Sequence, residues 1–241
     1  MLRKLETELL KNRRSSEEIL RDFFKIKNLT GRAEELLDGI LRNLGFKKGE
    51  DGLWSYEPVI PRDEFVVVDV ETTGLSFEKG ARIIEIGMVE VKRGEIVRTY
   101  SQLINPGVRI PPKITSITGI NNEKLLGKPS FEEVAPDILD FISNRYMVAH
   151  NFPFDYSFLK GEFARIGVEF PQRGICTLQI SRKLLGLRRN DLDSLASYFN
   201  LSFISRHRAL GDALVTAEVF LRLQEIVPGD IIEFCENECR F

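Results

Sequence analysis

One apolar run that ends in acidic residues constrains the fold of this chain more than any other feature. The run covers residues 65–75, with the sequence FVVVDVETTGL, and its Thr-Thr-Gly segment marks a turn. A continuous β-branched stretch predicts a strand that is buried on both faces of a sheet. Residues i and i+2 share one face of a strand, so Asp69 and Glu71 project in the same direction. Such a pair calls for a cation, unless the strand frays and both carboxylates are simply solvated.

A further acidic residue follows a second apolar segment. Residues 147–155, MVAHNFPFD, predict a short strand, a turn and the start of a helix. Pro153 suits the first turn of a helix because the first amides of a helix lack intrahelical partners. Asp155 then lies near the positive end of the helix dipole, which favours an ionised carboxylate. Taken alone, Asp155 is also compatible with an ordinary helix start.

The third segment carries an acidic residue and a histidine together. Residues 206–213, RHRALGDA, precede an apolar helix from Leu214 to Leu223. Asp212 is expected in the early turns of this helix, and His207 lies five residues earlier on the incoming loop. A lone histidine is more often a surface or structural residue than a catalyst. This chain has only two histidines, however, and both fall within these segments.

Four carboxylates from three elements, with one imidazole, suit metal-assisted cleavage of a phosphodiester. Two divalent cations roughly 3.5 to 4 Å apart stabilise the attacking and leaving oxygens of an in-line displacement. Oxygen ligands favour Mg²⁺ or Mn²⁺ over zinc. An imidazole ordinarily titrates near neutral pH, so His207 is a candidate general base for the attacking water, with a contribution of about 10² to 10⁴ in rate.

Together, the three segments closely resemble the DEDDh, or DnaQ-like, family of 3′ to 5′ exonucleases, which includes the proofreading epsilon subunit of bacterial DNA polymerase III. The resemblance runs from about Phe65 to Val227 and contains the three family motifs in order. It extends to the connecting segments 82–87 and 104–120, which are also typical of the family.

The resemblance implies a role for each residue of the site. The four acidic residues would hold two divalent metal ions, Mg²⁺ or Mn²⁺, with Asp69 shared between them, and His207 would be the general base. The ligand set is Asp69, Glu71, Asp155 and Asp212. The residues implied to contact the 3′-terminal nucleotide are Thr72, Gly74, Leu75, Asn151 and Phe154. Among these, Leu75 would be an apolar wedge beside the last base.

The implied activity is the release of nucleoside monophosphates from single-stranded or frayed 3′ ends of DNA, in proofreading or repair, with a DNA polymerase subunit as a possible partner. Trimming of RNA 3′ ends uses the same chemistry and stays open. An alternative of another class is an inactive module that binds nucleic-acid ends or a polymerase. The complete ligand set favours an enzyme.

Composition narrows the class of protein. The 241 residues are 43% hydrophobic and 29% charged, which predicts a globular protein with one main domain and a small second one. A net charge of −2 excludes a broadly basic DNA-wrapping protein. Three cysteines suit a reducing compartment, and no signal peptide or membrane-spanning stretch is evident. We therefore expect a cytoplasmic protein without a membrane partner.

Two prolines near residues 57–62 divide the chain into a domain at 1–60 and an exonuclease domain at 61–241. Helical spacing predicts three helices in the first domain, the third beginning near Thr30-Gly31. A hairpin at 46–56, turning at Asp51-Gly52, would complete a winged-helix-like unit. Duplex binding by this unit is set against protein contact or packing, because the third predicted helix mixes acidic and basic residues.

The order of elements in the second domain predicts its fold. The predicted strands lie near 65–71, 82–92, 95–104 and 146–149. The predicted helices lie near 131–143, 153–166, 177–186, 191–199 and 209–226. Three strands with short connections, followed by alternating strands and helices, indicate an α/β, ribonuclease H-like domain with a mixed central sheet flanked by helices.

Overall fold

The chain forms two compact units, Met1–Ile60 and Pro61–Phe241. The computed structural model describes residues 5, 8, 9, 11–23, 34, 37–39, 41, 46–56, 61–170 and 172–239. No helix in these ranges is both long and apolar enough to cross a bilayer.

The first unit contains a capped helix and a hairpin. Helix α1 (Ser16–Asp22) begins with a capping box, in which Ser15 and Glu18 satisfy each other's backbone amides. Strands β1 (Phe46–Lys48) and β2 (Trp54–Tyr56) pair antiparallel through a turn at Gly52, whose φ is 77°. The predicted hairpin is therefore confirmed.

Buried Trp54 organises the described part of this unit. Its indole Nε1 donates to Ser16 Oγ at 2.9 Å, and the Ser16 hydroxyl donates to Asp38 Oδ1 at 2.8 Å. The backbone is helical at residues 5, 8, 9, 11, 34, 37–39 and 41, in agreement with the first and third predicted helices. Much of those helices, the Thr30-Gly31 start and the linker at 57–60 lie outside the described residues. The winged-helix-like assignment stays a prediction.

The second unit is built on a five-stranded mixed sheet. Its strands are β3 (Glu64–Thr72), β4 (Ile83–Lys92), β5 (Glu95–Leu103), β6 (Tyr146–Ala149) and β7 (Gly174–Cys176). The order across the sheet is β5-β4-β3-β6-β7; the first three strands are antiparallel, and β6 and β7 run parallel to β3. Strand β3 is central, and Val66, Val67 and Val68 are fully buried, as a strand covered on both faces requires.

Helices cover both faces of this sheet. The described helices are α2 (Pro112–Thr118), α3 (Asn122–Leu125), α4 (Phe131–Ile142), α5 (Phe152–Arg165), α6 (Thr177–Leu184), α7 (Leu192–Tyr198), α8 (Ala209–Ile226) and α9 (Ile231–Glu238). Val66, Val68 and Val70 share a core with α4 and α5. On the other face the rings of Phe65 and Phe220 meet at 4.8 Å, where α8 packs.

The predicted ribonuclease H-like arrangement of a mixed sheet flanked by helices is confirmed. Four elements were not predicted: α2, α3, α9 and the strand β7. Three of these have only three to seven residues, too few for a period to emerge.

Candidate active site

Three of the predicted carboxylates meet at the carboxyl end of β3. Asp69 and Glu71 lie on the sheet face of Phe65, which α8 covers. Asp212 lies in the first turn of α8. One oxygen from each of Asp69, Glu71 and Asp212 lies within 4.8 Å of the others. The structure thus brings together acids that are up to 143 positions apart in the chain.

Asp155 reaches the same region from the first turn of α5. Its side chain is only 3% exposed, and Oδ1 accepts a hydrogen bond from the Val70 amide at 3.1 Å. Val70 directly follows Asp69, so this bond brings Asp155 next to Asp69, and the charge of Asp155 adds to the burial that raises the pKa of Asp69. Asn151, with a φ of 73°, and Pro153 start α5 as the sequence predicts.

An ion pair between buried Glu85 and the partly exposed Arg208 holds α8 against the sheet. Glu85 in β4 is 1% exposed and accepts from Arg208 Nη2 at 2.6 Å. Its other oxygen accepts from the Ala209 amide at 3.0 Å, so Glu85 caps the helix that carries Asp212. Glu85 pairs in register with Glu71. The same glutamate therefore fixes the position of Asp212 relative to the acids of β3.

Close packing at Gly87 adds a second constraint on α8. Gly87 pairs with Asp69 across the strands, and a Cβ there would lie 2.2 Å from the Leu210 nitrogen and 2.3 Å from the Ala209 carbonyl carbon. We expect Gly87→Ala to push α8 away from β4 and to lower the free energy of unfolding by about 1 to 3 kcal/mol. Urea denaturation of the full chain measures this loss.

Gly39→Ala is the matched control for Gly87→Ala. Gly39 is helical, exposed and has open space where a Cβ would lie. Alanine there is expected to leave stability unchanged or to raise it by about 0.5 to 1 kcal/mol. Equal stability of Gly87→Ala and the wild type would contradict the close contact between β4 and α8.

Burial raises the pKa of every acid in this cluster, and repulsion by neighbouring acids adds to the rise at Asp69, Glu71 and Asp155. Burial is the largest cause for Asp69, whose pKa lies well above its usual value because Asp155, Asp212 and Glu71 add to the effect. Burial, with the charges of Asp212 and Glu85, raises the pKa of Glu71 to about 7.

Burial also raises the pKa of the two helix-borne acids. The pKa of Asp155 rises to about 8, against the opposing effect of the Val70 amide. The pKa of Asp212 rises because of burial, and Arg206 and His207 oppose the rise. A cluster of four acids with raised pKa values is typical of a cation-binding site in the absence of its cation.

The raised pKa of Glu71 predicts a pH-dependent stability in the absence of metal. A carboxyl that holds its proton more tightly in the folded chain makes the unfolding free energy fall as pH rises from about 4.5 to about 7. The wild type should lose about 3 kcal/mol of unfolding free energy relative to Glu71→Gln, because glutamine at position 71 does not titrate. Denaturation of both proteins in EDTA at pH 5 and pH 7.5 measures the difference. A constant difference between them would contradict burial of Glu71.

The donor set fits hard divalent cations. Within the described part of the chain, Asp212 Oδ1 is buried and has no hydrogen-bond partner, although a buried carboxylate oxygen ordinarily has one. The cluster offers carboxylate oxygens alone, which suit Mg²⁺ or Mn²⁺. The other oxygen of Asp212 accepts from Arg206, whose guanidinium also holds Asp193 at 2.9 and 3.0 Å.

His207 lies on the loop that enters α8. Its backbone is left-handed, with a φ of 58°, and its side chain is exposed. Burial raises the pKa of Asp212 and the nearby His207 opposes that rise, so the two residues are neighbours. The other histidine, His150, is largely enclosed; its Nδ1 lies 3.0 Å from Thr177 Oγ1, and burial lowers its pKa to about 4.

The five residues implied to contact substrate are close to the cluster in the chain: Thr72 ends β3, Gly74 and Leu75 follow it, Asn151 precedes α5 and Phe154 lies in its first turn. Thr72 Oγ1 donates to the Gly74 carbonyl at 2.6 Å, which closes the turn after β3. Leu75 follows with 89% of its surface exposed. Asn151 is exposed, and Phe154 is half-buried with its ring 5.0 Å from that of Phe158. Their contact with a nucleotide stays a prediction.

Glu85, Arg206 and Arg208 are residues of this region to which the sequence analysis gave no role. A glutamate inside the apolar strand β4 is the signal for Glu85, because a buried carboxylate requires a cationic partner. That partner, Arg208, lies 123 positions away and is identified only by the fold.

Comparison with known proteins agrees with this geometry. The family described as Exonuclease matches residues 66–220. The DNA polymerase III epsilon subunit of Aquifex aeolicus is 37% identical over 163 residues, which are 67% of this chain and 80% of that protein. A PolC-type DNA polymerase III of Thermotoga petrophila is 42% identical over 174 residues, which are 72% of this chain and 13% of the polymerase. The chain thus matches a small part of the PolC-type polymerases.

A solved structure shows the same fold. Exonuclease X in complex with 5′ overhanging duplex DNA superimposes with a TM-score of 0.58 and 27% sequence identity. The match covers 70% of this chain and 98% of that one.

Proposed function

Because this chain belongs to the exonuclease family, we propose that residues 61–241 form a metal-dependent 3′ to 5′ exonuclease that releases nucleoside monophosphates from DNA 3′ ends. The observation that carries the proposal is the convergence of Asp69, Glu71 and Asp212 within 4.8 Å, with buried Asp155 beside them. The raised pKa values of Asp69 and Glu71 support a cation-binding role for this cluster. So does Asp212 Oδ1, which is buried without a hydrogen-bond partner among the described residues.

The proposed hydrolysis divides the work between the carboxylates and the imidazole. The four acids hold two divalent ions, Mg²⁺ or Mn²⁺, which when bound stabilise charge on the attacking and leaving oxygens. His207 takes the proton from the water that attacks phosphorus. The bond between phosphorus and the 3′ oxygen of the preceding nucleotide breaks. The products are a nucleoside 5′-monophosphate and a shortened strand with a 3′ hydroxyl.

The residues on the turns beside the cluster suit a terminal nucleotide. Leu75 is exposed just after β3 and offers an apolar surface to the last base. The turn closed by the hydrogen bond from Thr72 to the Gly74 carbonyl places its backbone beside Leu75. We assign Asn151 and Phe154, at the start of α5, to the same terminal site. Their position beside Asp155 in the chain supports this assignment.

DNA is the proposed substrate. Relatives that match about two thirds of this chain are named DNA polymerase III subunit epsilon and DNA polymerase III PolC-type, and the similar solved structure holds DNA. The test uses a single-stranded DNA 20-mer and an RNA of the same sequence, both labelled at the 5′ end, with Mg²⁺. We expect a ladder of one-nucleotide steps on DNA. Faster trimming of the RNA would reassign the substrate, and tight binding without cleavage in fresh Mn²⁺ would indicate an inactive end-binding module.

We also propose that the first unit contacts a protein, such as a polymerase subunit, and does not bind duplex DNA. Three of its described basic side chains form ion pairs with acids of the same unit: Arg13 with Asp51, Arg14 with Glu8 and Lys48 with Asp38, each at 2.6 Å. Because acids of the same unit already neutralise these side chains, their binding to DNA would release few counterions.

Three free, buried cysteines support a cytoplasmic setting for the protein.

A further inference from the structure

We propose that the strand on the 5′ side of the scissile phosphodiester crosses a cavity beside the carboxylate cluster, with its phosphates against Lys79 and Arg109. The cavity has a volume of about 570 Å³. Its lining includes Thr73, Gly74, Leu75, Lys79, Val108 and Arg109. This inference rests on the proposed exonuclease function and adds a second binding subsite to it.

The cavity is close to the carboxylate cluster, because residues that directly follow β3 line it. Gly74 and Leu75 line it, and Gly74 follows Glu71 by three residues, so their Cα atoms are at most about 11 Å apart. Adjacent phosphates in a strand are separated by several ångströms. A strand whose last phosphodiester lies at the carboxylates therefore has its preceding nucleotide within reach of this cavity.

The first wall of the cavity, residues 73–81, is held rigidly. Thr73 and Arg82 exchange two hydrogen bonds, at 2.8 and 2.9 Å. Between them Phe77 packs inward, with its ring edge-on to that of Phe158 at 6.1 Å. A Cβ on Gly161 would lie 2.3 Å from the Phe77 ring, so the glycine is what admits it. Leu75 is consequently exposed on an anchored loop.

Arg82 fastens the second wall, residues 106–111, to the first. Its guanidinium is paired with the buried Glu162 at 2.6 and 2.7 Å, and its remaining Nη1 donates to the Pro106 carbonyl at 3.1 Å. At the far end of the wall, the amide of buried Ile110 donates to Asn122 Oδ1 at 3.0 Å. Val108 and Arg109 lie between these two anchors, with Val108 46% exposed.

Two unpaired cations distinguish this cavity from the rest of the site. Lys79 and Arg109 are exposed, and neither forms an ion pair with any residue in the described ranges. The neighbouring Glu78 is occupied by a hydrogen bond from Ser76 at 2.8 Å. By contrast, Arg206 and Arg208 near the cluster are both paired with acids.

The combination matches the chemistry of single-stranded nucleic acid. Such strands bind along cationic grooves, with their bases against apolar or aromatic surfaces. Leu75 and Val108 provide the apolar surface, and Lys79 and Arg109 provide charge for phosphates. Leu75 would separate the terminal base from the preceding one, and the preceding base would lie on the Val108 side.

A double variant, Lys79→Gln with Arg109→Gln, tests the subsite in the full chain. On a single-stranded DNA 10-mer in 50 mM NaCl with Mg²⁺, we expect KM to rise about tenfold, with kcat within about twofold of wild type. The slope of log KM against log salt should fall by about 0.7 for each phosphate contact that is lost. The p-nitrophenyl ester of thymidine 5′-monophosphate has no preceding nucleotide, so its KM should not change.

Arg93→Gln with Arg222→Gln is the charge-matched control, because it removes two exposed positive charges far from the cluster. Arg93 lies six residues, or about 20 Å, beyond Gly87 at the far end of β4, and Arg222 lies ten residues, or about 15 Å, beyond Asp212 along α8. This control should behave as wild type on both substrates. An equal rise in KM on both substrates with the Lys79 and Arg109 variant would move these cations to the terminal nucleotide and overturn the subsite, as would no change on either.

Fluorescence anisotropy separates the subsite from the catalytic proposal. A labelled DNA trinucleotide in EDTA should bind the Lys79 and Arg109 variant about tenfold more weakly than wild type. If the wild type bound DNA but cleaved nothing, the proposed exonuclease function would fail. In that case a tenfold loss of affinity would still support the subsite, and an unchanged affinity would overturn it.

Discussion

Asp69→Asn should lower kcat on single-stranded DNA by about 10³-fold or more. Asparagine keeps the shape of the side chain and removes the charge that would hold the metals at the end of β3. In EDTA at pH 8 the variant should be more stable than the wild type, because Asp69 no longer repels the neighbouring acids. Initial rates with Mg²⁺ and thermal unfolding measure the two effects.

The control for Asp69→Asn is Asp137→Asn on α4, an exposed acid outside the cluster. It should leave both rate and stability near wild type. If Asp69→Asn kept a kcat within tenfold of wild type, Asp69 would not be a metal ligand. If it lost activity and stability together, the loss would reflect unfolding and not the chemistry of the site.

His207→Ala should lower kcat by about 10²- to 10⁴-fold, the range expected when a general base is removed. The carboxylate cluster stays complete in this variant, so KM for DNA and the gain in melting temperature with Mn²⁺ should stay near wild type. Measuring kcat, KM and metal-induced stabilisation in one series separates proton transfer from metal binding. The exposed position of His207, on a loop and outside the core, makes a folding defect unexpected.

Two results would contradict the role of His207 as a base. One is a kcat within about tenfold of wild type. The other is the loss of Mn²⁺ stabilisation, which would show that the side chain organises the metal site. His150→Gln is the informative comparison, since His150 is the other histidine and is held beside Thr177 inside the fold. It should affect stability more than kcat.

Sequence patterns predicted the parts of this fold whose signal is local. The apolar run at 65–68, with three valines, predicted the central strand, and the spacing i, i+2 placed Asp69 and Glu71 on one face. Pro153 identified the first turn of α5 and therefore the position of Asp155. Helix α8 has the bounds that its apolar pattern predicts, Ala209–Ile226.

Features that depend on long-range contacts were not predictable in this way. Nothing local links Glu85 to Arg208, although their pairing positions α8. Strand β7 has three residues and exists because β6 offers it a parallel edge. The Lys79 and Arg109 cavity forms only when Arg82 joins two loops that are about 30 residues apart in the chain.

Metal dependence and direction of cleavage are tested together by one measurement on the wild type. Protein is dialysed against EDTA and mixed with 5′-labelled single-stranded DNA, and the products are resolved before and after Mg²⁺ or Mn²⁺ is added in excess. We expect no cleavage in EDTA, followed by products that shorten from the 3′ end one nucleotide at a time, with nucleoside 5′-monophosphates released. Degradation that persists in EDTA, or internal fragments in place of a ladder, would contradict a metal-dependent 3′ to 5′ exonuclease at this site.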